Sequence, residues 1–266
     1  MSEVPKPDLL FDQKLLIAET LPSDWSFLDD YQQAVSEMVS WDENRRTVKG
    51  KQPLEYMLAG LDEETKEVIW DEDKTEPTYN RWGSLALFGI DNGPQNDPGD
   101  VTASSMERHL KEFGDVAWYL ANTLTLCGLR YSATIEPGLA SIRLEQLAST
   151  ATGRGSLEGD DYMERNTAGF FLFPAAIAQM TSAAHGLARP GSKSFPADTY
   201  MKRRDERAHA EKRLVIASGQ YTIIANHLLV NRFAATYQSA LEVNLTKLRK
   251  RMSDGTVFEK AGGDDR

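Results

Sequence analysis

The chain has 266 residues, 41% of them hydrophobic, and a formal net charge of −10 at pH 7. That apolar share at that length supports a sizeable core and excludes an intrinsically disordered chain. The acidic balance argues against a sequence-independent nucleic-acid binder, which needs a basic face to displace counterions from phosphates; the single cysteine leaves no disulfide framework.

Residues 1–25 read as an N-terminal extension, polar and broken by Pro5, Pro7 and Pro22, with one apolar patch from Leu9 to Ile17 and no secretory signal pattern. Ser26 is placed as an N-cap, and Phe27, Leu28, Tyr31, Ala34, Val35, Met38 and Val39 then recur at helical spacing, predicting a helix that ends near Trp41. Pro53 opens the next helix, whose apolar stripe is Leu54, Met57, Leu58, Leu61, Val68 and Ile69. Glu64 lies on that stripe, where an aliphatic residue is expected, and Glu67 lies one turn further on its flank.

Residues 71–103 are rich in Asp, Asn, Pro and Gly and read as a long loop with one short apolar element at Leu85–Ile90. Ser104-x-x-Glu107 has the form of a capping box. It opens a helix that buries Leu110, Phe113, Val116, Ala117, Leu120 and Leu124 and carries Glu112, Asp115, Tyr119 and Asn122 on the flank. Cys127 reads as a small buried hydrophobe. A helical stretch follows Pro137 to about Leu147, then a flexible break from Ala151 to Asp160. The segment that is apolar from Phe170 to Met180 and ends at Gly186 or Pro190 reads as a buried helix; the longest apolar run, Ala168 to Ala178, is too short to span a bilayer and contains Pro174. After a loop at 189–198, a long helix from Tyr200 is charged from Lys202 to Arg213 and apolar beyond, and a last helix covers Ala240 to Arg251. Residues 255–266 form a polar tail. No convincing strand alternation appears, so the expected fold is all-α, with a helical bundle as the default, in a soluble cytoplasmic protein with no membrane partner.

Two acidic pairs carry the chemical signal. Glu64 with Glu67, and Glu112 with Asp115, each sit three residues apart on one helical face beside core positions. If the two helices pack antiparallel, four carboxylates converge. Such a site suits Mg²⁺, a hard cation that shares carboxylate and phosphate oxygens and leaves positions for water. A solvated acidic face is the plainer reading of either pair alone.

Glu63-Glu64-x-x-Glu67, then Glu112-x-x-Asp115, then Asn244-x-x-Lys247-Leu-x-x-Arg251 resembles the motif set of the all-α nucleoside triphosphate pyrophosphohydrolases, the MazG-like group related to dimeric dUTPases. The context Gly114-Asp115-Val-x-Trp-Tyr-Leu adds to the match. The resemblance implies a bundle of that type, in one domain over residues 26–254, that hydrolyses a nucleoside triphosphate to monophosphate and pyrophosphate. It implies Mg²⁺, with Mn²⁺ as a substitute, on Glu64, Glu67, Glu112 and Asp115, and Asn244, Lys247 and Arg251 on the triphosphate. Glu63 either positions the attacking water or belongs to the surface. A homodimer or higher homo-oligomer acting on a small nucleotide is the implied assembly. The connection over 68–111 is longer than the family's, and an insertion at about 130–230 separates the second motif from the basic one. The resemblance covers about half of the chain.

Trp41, Trp82, Trp118 and Tyr119 are candidates for base recognition, each with core packing as the alternative. Two competing readings remain. A di-iron carboxylate bundle needs paired Glu-x-x-His motifs, and only Glu206-x-x-His209 is present. A non-catalytic nucleotide-sensing or assembly module would keep the acidic site and bind a partner through the basic run around Lys202, Arg203, Arg204, Lys212 and Arg213, which otherwise reads as a solvated helix.

Overall fold

The computed structural model describes residues 20–39, 52–69, 103–151, 168–188 and 197–254. The expectations at Leu9–Ile17, Trp41, Trp82, Leu85–Ile90, most of the 151–160 break, the loop after the fifth helix and the terminal tail fall outside those residues.

Among the described residues the chain forms seven α-helices, with a 3-10 turn between two of them and no strand. They are α1 (Phe27–Met38), α2 (Pro53–Ile69), α3 (Ala103–Leu126), α4 (Ile135–Ala151), α5 (Ala168–Ala188), α6 (Ala197–Phe233) and α7 (Tyr237–Ser253), with the 3-10 turn at Ser132–Thr134 between α3 and α4. The all-α expectation holds. No described helix is long and apolar enough to cross a membrane.

The predicted stripes form the core. Leu28, Tyr31 and Val35 of α1, Met57, Leu58 and Leu61 of α2, and Phe113, Val116, Ala117, Leu120 and Leu124 of α3 are all buried. Helix α2 lies along α3, and α3 along α7, while α1 covers both α3 and α7. Helices α4 and α5 pack on α6, and α5 also reaches α2, where His185 Nδ1 lies 2.9 Å from Glu55 Oε1. The helices of the predicted insertion thus build a second packing layer around α6, a 37-residue helix of about 55 Å.

Several boundaries differ from the sequence expectation for local reasons. Ser26 occupies the N-cap position of α1 but makes no side-chain cap; its backbone N–H and hydroxyl donate instead to Asp24 at 2.8 and 2.6 Å. Helix α1 stops at Met38, with Val39 already non-helical, rather than near Trp41. Ser104 lies within α3 instead of before it, and Glu107 pairs forward with Lys111 at 3.1 Å. Helix α4 starts at Ile135, so Pro137 sits in its first turn, where the backbone N–H has no helical acceptor to lose. Helix α5 runs through Pro174 and buries only one side: Phe173, Ile177 and Met180 are enclosed, but Leu172 is 39% exposed. An apolar composition all round gave no sign of that open side.

The end of α3 fixes α1 in place. Gly128, at φ 70°, lets the Gly128 N–H reach Thr125 O at 2.9 Å and the Leu129 N–H reach Leu124 O at 2.8 Å, a left-handed helix stop. The chain that emerges is gripped by Gln32, whose Nε2 donates to Leu129 O at 2.8 Å and whose Oε1 accepts from Tyr131 N at 2.8 Å. Asp29 accepts from the Ser132 N–H and hydroxyl at 2.9 and 2.7 Å and pairs with Arg130.

Candidate functional site

Two glycines set the spacing of the helices that carry the site. A Cβ at Gly60 would fall 2.1 Å from the Tyr119 ring, so only glycine lets α2 lie this close to α3. Gly60 beside Tyr119, with Glu67 near Glu112, makes α2 and α3 antiparallel, as the acidic pairs require. A Cβ at Gly114 would meet Ala240 O and Asn244 Cβ, each at 2.8 Å, so α7 also approaches α3 through a missing side chain. Helix α7 is started by Thr236, whose hydroxyl accepts from the Ser239 N–H at 3.2 Å. It is tied down by Tyr237, whose N–H donates to Asn226 Oδ1 at 3.0 Å.

On this frame Glu64, Glu67 and Glu112 come together. One carboxylate oxygen from each lies within 4.8 Å of the other two. Octahedral Mg²⁺, with bonds of about 2.0–2.1 Å, spans about 4.2 Å between opposite ligands, so small side-chain rotations would close the three oxygens on one ion. The donor set is all hard oxygen, which suits Mg²⁺ or Mn²⁺ and not a thiolate- or imidazole-seeking metal. Glu64 and Glu112 are half-buried and Glu67 is exposed. The Glu64 pKa is pushed up to about 8, first by burial and then by the negative charges of Asp115, Glu67 and Glu112, with Lys247 pulling the other way.

Asp115 lies beside the trio but is engaged differently. Its Oδ1 accepts from Asn244 Nδ2 at 2.8 Å and its Oδ2 from Lys247 Nζ at 2.5 Å. The Oδ1 of Asn244 accepts in turn from the Tyr31 hydroxyl at 2.7 Å. Of the residues expected on the triphosphate, Asn244 and Lys247 are therefore directed at Asp115, while Arg251 lies one turn further along the same face of α7, half-buried. Glu63 is exposed on α2 and is not one of the three converging carboxylates.

Of the aromatic candidates, the two among the described residues resolve as core. Trp118 and Tyr119 are both buried, packed edge to face with centroids 4.5 Å apart. Cys127 packs against the core, and burial raises its thiol pKa to about 11. Glu206 and His209 are both exposed on α6, which leaves the di-iron reading without a convergent ligand set there. In the basic run Lys202, Arg204, Lys212 and Arg213 are exposed, and Arg207 Nε pairs with Glu211 Oε1 at 2.7 Å, as on a solvated helix.

Tyr31 and Gly60 belong to the site without being singled out for it in the sequence, and Gly114, quoted there as part of a motif, is given no spacing role. Tyr31 sits in the apolar stripe of α1 and reads as core, which its ring is. Gly60 is visible only as a small residue in an apolar stretch. Compared with known proteins, the chain matches no family model, no curated protein and no solved structure.

Proposed function

We propose that the chain is an Mg²⁺-dependent nucleotide pyrophosphohydrolase, cleaving a nucleoside triphosphate to the monophosphate and pyrophosphate. The observation that carries this reading is the convergence of Glu64, Glu67 and Glu112 beside the Asp115–Lys247 pair. Its order of acidic and basic motifs supports the same reading through the resemblance to MazG-like enzymes. Glu64, Glu67 and Glu112 would hold the ion, with Mn²⁺ able to replace Mg²⁺, and Asp115 completes the negative wall beside them. The bound metal would neutralise the polyphosphate and lower the pKa of a coordinated water. Lys247 and Arg251 supply positive charge on the α7 side, where the leaving pyrophosphate would need it. Exposed Glu63 stands at the solvent edge of α2, where it either orients water or belongs to the surface. A cytoplasmic homodimer or higher homo-oligomer accompanies this reading, and the mass in solution tests the assembly.

One observation favours a second reading. Both oxygens of Asp115 and the amide of Asn244 are already committed to one another and to Lys247, as in a site that binds nucleotide without turning it over. A panel of standard and modified nucleoside triphosphates with Mg²⁺ separates the two. Turnover in the parent that falls by about 10- to 100-fold in Glu67→Gln and Asp115→Asn is expected, given the losses seen when metal surroundings are altered. Undiminished turnover in those variants sinks the assignment. Nucleotide binding in the parent without hydrolysis establishes the sensing module instead.

A further inference from the structure

A carboxylate only accepts hydrogen bonds, so the Asn244 atom facing Asp115 is Nδ2. That turns Asn244 Oδ1 away from the acidic trio into the protein interior, where the residue is 1% exposed. A buried carbonyl oxygen without a donor is costly, and the group that meets this one is the Tyr31 hydroxyl. Burial raises the Tyr31 pKa well above the ordinary tyrosine value, so at neutral pH the hydroxyl keeps its proton and donates. Its position is set from both sides in the sequence, because Asp29 and Gln32 are anchored to the segment after α3. Lys247 holds the other oxygen of Asp115, but a rotatable ammonium is a point charge and does not fix how a carboxylate is turned. A planar amide held at both ends does.

We propose that Tyr31 is a positioning residue of the candidate metal site: its hydroxyl fixes the Asn244 amide, and through it the orientation of Asp115 beside Glu64, Glu67 and Glu112. The proposal rests on the reading of that trio as a divalent-cation site. Tyr31 touches neither ion nor substrate, and its ring serves the core as a phenylalanine would. Only the hydroxyl belongs to the site.

The test is a double-mutant cycle in the full chain, with Tyr31→Phe, Asn244→Ala and the double variant, titrated calorimetrically with Mg²⁺ alone. Side-chain amide NMR of the metal-free protein is read in parallel. Tyr31→Phe is expected to weaken Mg²⁺ binding by about 10-fold, in the range found for groups that orient metal ligands. In the Asn244→Ala background the same change should add nothing. The Asn244 amide proton facing Asp115, downfield and slow to exchange in the parent, should lose both properties in Tyr31→Phe. An equal effect of Tyr31→Phe with and without Asn244, or an amide signal indifferent to it, overturns the proposal. The parent also decides the point without any variant: a slowly exchanging Tyr31 hydroxyl proton with a cross-peak to Asn244 is expected, and a hydroxyl in fast exchange with water overturns it. A parent that binds no Mg²⁺ defeats the metal-site reading, while the amide and hydroxyl signals still judge Tyr31 alone.

Discussion

Glu64 and Asp115 are neighbouring carboxylates on adjoining helices, and the protein treats them oppositely. Asp115 receives a lysine, an amide and, at one remove, a tyrosine hydroxyl. Glu64 receives burial and three negative neighbours, which drive its pKa to about 8. The first corner finds its cation and hydrogen-bond donors within the chain itself. The second carries a demand for positive charge that a proton meets in part and a divalent ion would meet better. The difference separates a carboxylate held in place from one kept in need of a ligand.

The largest effect comes from removing that demand. Between pH 4.5 and about 8 the metal-free folded chain holds a proton on Glu64 that the unfolded chain has released. Stability therefore falls as pH rises through that window; below it the penalty is absent, and above it the penalty is complete. Glu64→Gln should flatten this slope and raise stability above pH 8 by an amount on the order of a few kcal/mol. Mg²⁺ should stabilise the parent more at pH 8.5 than at pH 5.5. Denaturant midpoints across pH, with and without Mg²⁺, check both, and a parental slope that survives Glu64→Gln would break the contrast drawn between the two corners.

The Asp115 corner is broken through Gly114. An added methyl meets Ala240 O and Asn244 Cβ at 2.8 Å, so Gly114→Ala must push α7 off α3. The expected loss is about 1–3 kcal/mol in urea unfolding, the usual range for overpacking. The pH slope assigned to Glu64 should remain. Unchanged stability would mean that the two helices have room to spare.

The smallest effect sharpens the comparison from outside the site. Ala234, between α6 and α7, has φ 49°, in the left-handed region that disfavours a Cβ. Ala234→Gly relieves that strain and loosens the unfolded chain, leaving a net gain of about 0.5 kcal/mol. A thermal unfolding series reads it, and a fall in stability would show that Ala234 makes contacts worth more than its strain.

Much of this fold is legible in the sequence because its helices are amphipathic. The stripes of α1, α2 and α3 name their own buried residues, and Glu64 stands out as an acid on an apolar line. Helix α5 is harder, since a side chain such as Leu172 is apolar whether or not a neighbour covers it. Caps also mislead: Ser104 has a helix-starting pattern but lies inside α3, whose extent is decided by packing rather than by one side chain. In the site, the acidic trio follows from helical spacing once α2 and α3 are antiparallel. The hydroxyl of Tyr31 does not, because its partner is 213 residues away and nothing local marks it. Nor does spacing reveal that Lys247 and Asn244 turn toward Asp115, which depends on the close approach at Gly114.

The bonds from Asn244 and Lys247 to Asp115 span 129 and 132 residues, with α4, α5 and α6 in between. Entropy alone makes so long a loop only modestly costlier to close than a short one, since each doubling adds about 0.6 kcal/mol. The order of events is affected more. On a ribosome α2 and α3 emerge well before α7, so Glu64, Glu67, Glu112 and Asp115 can meet while the lysine that answers Asp115 has yet to be made. Until then a divalent ion bound as proposed would supply the counter-charge, and refolding of the full chain should quicken with Mg²⁺ if the α2–α3 pair forms early.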